Sequence, residues 1–243
     1  ENTMTVTEPT SPALTVELAG LEVVAFDLYR DIHKALRAEL FGVTAQAGST
    51  DPGDADARIA VATRWNEAVA LLVEHAEHED EFVQPVIERH APQLAPVVVR
   101  EHEVLEQQMA QLEVLADRAA GATGASARFL GHQLYLGLAN FTAAYTEHLA
   151  FEELEVNVEL SRALGPDELL AVDQALVASI PPDRMGVALG LMLPAMNADD
   201  RAELLGGAQQ GAPAEVFAGM LAVARGALAP ADYAQLTTRL GVA

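Results

Sequence analysis

Two short stretches of this chain carry the same order of metal-binding side chains. Glu74-His75-Ala76-Glu77-His78-Glu79 and Glu147-His148-Leu149-Ala150-Phe151-Glu152 both read Glu-His-x-x-x-Glu. A single histidine precedes each, His33 lying 42 residues before His75 and His102 lying 46 residues before His148. Residues four apart on a helix share a face, with Cβ atoms roughly 6 Å apart, so each His-x-x-x-Glu can reach one metal position. His33, His75, Glu79, His102, His148 and Glu152 thus form a candidate set of four imidazoles and two carboxylates. Imidazole suits iron, zinc, copper or nickel, and carboxylate suits harder cations. Two carboxylates able to bridge point to a dinuclear iron or manganese centre rather than a closed zinc site.

The repeat has to be weighed against the acidity of the chain. With 36 acids in 243 residues, an acid four places after one of seven histidines arises about once by chance. Three occur, after His75, His102 (Glu106) and His148. The repeated order and the histidine ahead of each copy carry more weight than either string alone.

The elements that must position these residues are helical. Ala, Leu, Val and Glu dominate and aromatics are only 5%, which favours helices over strands. Apolar residues from Leu18 to Leu40 recur at helical spacing and predict a first helix over 13–40, closed by Phe41-Gly42. After the turn formers of 48–54, a second helix is expected over 56–90, ended or kinked by Pro85. A third is expected over 97–120 and, past Gly121–Gly124, a fourth over 126–163, stopped by Gly165-Pro166. Four long helices with short loops predict an all-α, up-down-up-down four-helix bundle. Residues 1–19 read as an N-terminal extension, 20–164 as the bundle and 165–243 as a helical C-terminal accessory region. That last region has no histidine, and Pro and Gly divide it at 180–182, 194, 206–207, 211–213 and 229–230. Its Met185, Leu189, Met192, Leu193 and Met196 read as core. Asp183 and Asn197 read as helix caps.

Charge excludes several classes. The net charge of −22 offers no basic surface for nucleic acid or an anionic membrane. No apolar run approaches the roughly 20 residues of a membrane span. The polar start, Glu1 to Ser11, lacks the regions of a secretion signal. The absence of cysteine excludes thiolate sites and disulfides and fits a cytoplasmic protein. Glu-x-x-His of the ferritin type, His-Glu-x-x-His, a phosphate loop and a nucleophile elbow are all absent. Of the remaining histidines, His78 reads as solvent-facing, His90 as a helix-end residue and His132 as too far along its helix for the same layer. Glu74, Glu101 and Glu147 precede ligands and point about 100° away from them.

Over about residues 20–162 the chain resembles the hemerythrin-like, or HHE cation-binding, family. The doubled His…His-x-x-x-Glu carries the likeness, with Asp31–Arg37 as an opening segment, acids and Pro85 after the first motif, and Glu152-Glu153 in the second. The resemblance implies two iron ions, oxo- or hydroxo-bridged, with manganese or zinc as substitutes. One iron would take His33 and His75, the other His102 and His148, with Glu79 and Glu152 bridging both. O2, NO or peroxide would be the ligands. Oxygen carriers of the family have a fifth histidine four residues before the third-helix ligand, where this chain has Val98, and an Asp at +5 of the last motif, where it has Glu153. That departure implies an open or water-filled position, for which Tyr29, Tyr145 and Glu106 are the candidate replacements, and favours sensing, redox defence or iron handling over transport. Two other readings are a di-iron oxygenase or peroxidase whose substrate pocket is shaped by 166–243, and a metal-free helical interaction protein.

Overall fold

The computed structural model describes Val24 and residues 26–242, and among them there are helices and no strand. The expected N-terminal extension and the first part of the predicted first helix lie outside the described residues. Helix α1 spans Arg30–Ser49, α2 Ala55–His78, α3 Gln84–His90, α4 Ala95–Ala120, α5 Gly124–Phe151 and α6 Asn157–Ala163. Five helices of 11 to 14 residues follow: α7 Pro166–Ser179, α8 Pro182–Ala195, α9 Ala198–Gly211, α10 Ala214–Ala227 and α11 Pro230–Leu240.

Helix α1 differs from expectation at both ends. It starts at Arg30, where the Asp27 carboxylate accepts from the backbone N–H groups of Tyr29 and Arg30. It also runs straight through Gly42 to Ser49. Glycine in a helix interior costs about 1 kcal/mol against alanine. Here a Cβ would stand 2.2 Å from the Arg64 guanidinium, so the missing side chain leaves room for the flexible end of that residue from α2. Helix α9 likewise continues through Gly206-Gly207.

The second and fourth predicted helices contain a departure that periodicity does not reveal. Glu79–Val83 and Glu152–Val156 are each one π-helical turn between α-helical segments. The backbone N–H of Gln84 donates to the Glu79 carbonyl, and that of Asn157 to the Glu152 carbonyl, each five residues back. Pro85 contributes to the first, since its ring and missing N–H disfavour the regular ladder. The second has no proline.

Helix α1 packs on α2 and α5, and α4 packs on α2 and α5, so the four long helices close a ring. Trp65, Phe141, Leu36, Leu40, Leu72, Leu138 and Leu149 fill its core. A second apolar cluster, including Tyr29, Val83, Ile87, Val98, Leu160 and Leu169, closes the end of the ring at which the two π turns lie. Leu169 comes from α7, which also contacts the turn at Glu79–Val83. Met185, Leu189, Met192, Leu193 and Met196 join a third cluster with Leu205, Ala224 and Leu236, as the core reading expects. The Asn197 side chain caps α9 by accepting from the N–H groups of Asp199 and Asp200, whereas Asp183 sits in the first turn of α8 rather than at its cap.

Helix α8 lies on α1, and its Arg184 meets Glu74 at 2.6 Å. Lys34 pairs with Asp200, and Arg30 reaches Glu203 at 3.2 Å. Residues flanking His33 and His75 therefore anchor the C-terminal helices. Among the described residues no single helix is long and apolar enough to cross a membrane.

Candidate metal centre

All six residues singled out by spacing converge. His33 comes from α1, His75 from α2, His102 from α4 and His148 from α5, while Glu79 and Glu152 open the two π turns. They fall into two groups, each with donor atoms within 4.8 Å of one another. His33, His75, Glu79 and Glu152 form one; Glu79, His102, His148 and Glu152 form the other. Both carboxylates belong to both groups.

The contacts have the scale of a coordination sphere. His75 Nε2 lies 3.2 Å from Glu79 Oε1, and His148 Nε2 3.4 Å from Glu152 Oε1. His33 Nε2 is 3.5 Å from Glu152 Oε2, and His102 Nε2 is 3.6 Å from Glu79 Oε2. Donors bonded to one ion at 2.0–2.2 Å stand roughly 3.0–3.6 Å apart. The same atoms are also unsatisfied. Nε2 of His33, His75 and His102, both oxygens of Glu79 and Oε2 of Glu152 are buried without a hydrogen-bond partner. A buried polar atom left unpaired costs about 1–3 kcal/mol. Six in one place fit cations held in the two donor groups they belong to.

What turns these atoms inward is an outer ring of carboxylates. Glu153 lies 3.0 Å from His33 Nδ1, Asp80 3.1 Å from His102 Nδ1 and Glu101 3.0 Å from His148 Nδ1. Such a contact fixes the imidazole tautomer and leaves Nε2 for a metal. In each motif two consecutive acids divide the work. Glu79 faces the centre while Asp80 holds a histidine of α4, and Glu152 faces the centre while Glu153 holds the histidine of α1. Arg37 anchors Glu153 in turn at 2.6 and 2.9 Å. The +5 acid of the second motif therefore orients a ligand and is not itself in either donor group. Among the described residues no comparable carboxylate reaches His75: the residue before His33, at the place Glu101 holds before His102, is Ile32.

Spacing along the chain does not reveal these outer roles. Of the acids preceding ligands, Glu101 serves His148 on α5 rather than its neighbour His102, Glu74 pairs with Arg184, and Glu147 is exposed. The signal that was available is the acid at +5 in both motifs, Asp80 and Glu153. Glu106, His90 and His132 are exposed and His78 half-buried, and none enters a donor group. Val98 is buried among Tyr29, Val83 and Leu169, so apolar packing surrounds the position expected to leave an opening. Tyr29 and Tyr145 are buried beside the centre, with ring centroids 5.0 Å from His33 and 5.8 Å from His148. Burial, with the charges of Glu79 and Glu152 nearby, pushes both phenols well above their usual range.

Burial and the facing carboxylates act in opposite directions on the histidines of the centre. Burial works against a charged His33, but the hydrogen bond to Glu153 and the facing Glu79 and Glu152 outweigh it and raise the group to about 9. At His102, burial is likewise overcome by Glu152 and Glu79, and the group is held at about 11. His75, with no outer carboxylate, is lowered by burial to about 3. Burial and the neighbouring Glu79 push Glu152 up.

The outer ring predicts selective effects. Glu153→Ala should weaken uptake at the His33/His75 position, and Glu101→Ala or Asp80→Ala at the His102/His148 position, by about 10–100-fold each. Stepwise metal titrations should show one transition weakened and the other retained. Equal weakening of both by every variant would contradict the assignment.

A family model described as the hemerythrin HHE cation binding domain matches residues 24–158. No curated protein and no solved structure matches the chain. The matched segment spans more than half of the sequence and contains all six inward-facing residues, so this chain belongs to the hemerythrin HHE cation-binding family.

Proposed function

We propose that the protein is an up-down-up-down four-helix bundle holding a non-haem di-iron centre that binds or reacts with O2, NO or peroxide. The observation that carries this reading is the set of buried, unpaired donors in two groups sharing both carboxylates. His33 and His75 would hold one iron, His102 and His148 the other, with Glu79 and Glu152 across both. Manganese or zinc are the substitutes to expect from the same donors. Bound iron supplies redox electrons and open coordination positions for a small ligand. The protein's part is to orient the imidazoles through Glu153, Asp80 and Glu101 and to surround the centre with apolar residues.

Burial supports a diatomic or similarly small ligand. His33 is wholly buried, Glu152 is 1% exposed, and the least covered member is His102, beside exposed Asp80. Val98 and the apolar cluster around it favour sensing, redox defence or iron handling over reversible transport, since no fifth imidazole is offered there. A cytoplasmic setting accords with this reading and with the lack of cysteine.

Elemental analysis and the visible spectrum of protein expressed with iron test the proposal. About two irons per chain and near-ultraviolet charge-transfer bands are expected. A colourless, iron-free product would refute it, and would leave the metal-free interaction protein as the better account.

A further inference from the structure

At the opposite end of the ring from the metal centre, a cavity of about 590 Å³ opens between the α1–α2 and α4–α5 connections. Residue 132, on its wall, lies roughly 24 Å along α5 from residue 148 at 1.5 Å per residue, so the cavity is separate from the centre. Its volume falls within the roughly 300–1,000 Å³ of small-molecule sites.

The lining reverses the character of the chain. Against 36 acids and 14 basic residues overall, it has Arg58, Arg128 and His132 and, among the described residues, no acid. Arg58 is the unusual member. It is 8% exposed, and its guanidinium donates to the carbonyls of Ala119 (3.2 Å), Ala122 (2.6 Å) and Pro52. Those carbonyls offset part of the charge, that of Ala119 at the negative end of α4. Three of five N–H donors are thereby used, and no carboxylate pairs with the cation among the described residues. Arg128 lies exposed at the mouth.

The rest of the wall is apolar or aromatic. Phe129 is 62% exposed at the rim. The Tyr135 ring lies against α1 at Gly48, where a Cβ would come within 2.9 Å of it. At Gly131, which also lines the cavity, a Cβ would meet nothing within 4 Å.

We propose that this cavity binds a small organic monocarboxylate with a flat apolar body, its carboxylate toward Arg58 and Arg128 and its body between Tyr135 and Phe129. A carboxylate complements the guanidinium charge, and Arg58 keeps two N–H groups beyond those given to backbone carbonyls. A flat ring matches aromatic walls.

The test is a calorimetric titration of the 243-residue chain with 2-naphthoate, beside the neutral 2-naphthalenemethanol of similar shape. Saturable one-to-one binding of the acid is expected, with the alcohol at least about ten-fold weaker. Gly131→Leu, which fills the space on a helix that prefers leucine to glycine, should weaken the acid by about ten-fold or more. Arg128→Glu should cost about five-fold or more. No saturable binding by the unaltered chain, equal binding of acid and alcohol, or unchanged affinity in both variants would each overturn the proposal.

Discussion

Glu152→Ala should strip both metal positions at once, and Glu79→Ala should do the same. Each carboxylate belongs to both donor groups, whereas each histidine belongs to one. The expected iron content falls from about two per chain to near zero for either glutamate, while His75→Ala leaves about one. A second cost accompanies the first. In the metal-free chain, Glu79 and Glu152 are the carboxylates facing the Nε2 atoms of His33 and His102, which are held protonated at neutral pH. Removing one partner of a buried charged set costs about 3–5 kcal/mol. Glu152→Gln preserves the volume and isolates the loss of charge. Iron analysis of purified variants decides the matter, and retention of both irons by Glu152→Ala would refute the shared role.

Removing the metal should lower the melting temperature by roughly 8–16 °C. Binding at 1,000 times Kd contributes about 4 kcal/mol, and each kcal/mol moves a chain of this size by about 2–4 °C. The difference should depend on pH with a definite sign. His33 at about 9 and His102 at about 11 lie above the ordinary 6.5. The stability they lend the metal-free fold is complete below pH 6.5 and is lost as pH rises through 9 and 11. The imidazoles must be neutral to ligate, so alkaline pH removes the proton's competition with the metal. The gap between loaded and chelated protein should therefore widen from pH 7 to pH 10. His75, lowered to about 3, acts in the other direction and costs the metal-free fold stability as pH falls below 6.5. Melting curves with and without chelator from pH 7 to pH 10 test the first statement, and a gap that is constant or narrows with rising pH would contradict it. Curves of the chelated protein below about pH 6.5 test the second, and no loss of stability there would contradict it.

The site was more legible than its support. His75 with Glu79, and His148 with Glu152, are four apart, so one turn of helix suffices to predict their shared face. Convergence of His33 and His102 followed from placing one histidine on each remaining long helix. The contacts that orient the imidazoles span 22, 47 and 120 residues, for Asp80–His102, Glu101–His148 and His33–Glu153. These depend on how each helix is rotated about its axis, which spacing along one helix does not constrain. The reading of Glu101 shows the limit: beside His102 in the chain, it serves His148 in space.

Helix boundaries divide in the same way. Pro96 near the start of α4, Gly121 at its end and Asn197 at the cap of α9 act locally, and their elements fall where composition puts them. Gly42 looked like a stop because glycine weakens a helix, yet the close approach of Arg64 explains the glycine and the helix passes through it. The π turns at Glu79 and Glu152 lie deeper still. Proline accompanies the first and not the second, and both place a carboxylate at the centre, as π turns often do at functional sites.

By itself, then, the sequence determined an all-helical chain and the six residues able to ligate metal, because helical periodicity is written in neighbours three and four apart. The tertiary structure decided that both carboxylates are common to both donor groups, that the +5 acids hold imidazoles across the ring, and that apolar side chains surround Val98. It also decided that Arg58 is buried over a cavity free of acids. Each of these is a relation between helices, set by packing of surfaces distant in the chain, and no residue's own neighbours specify it.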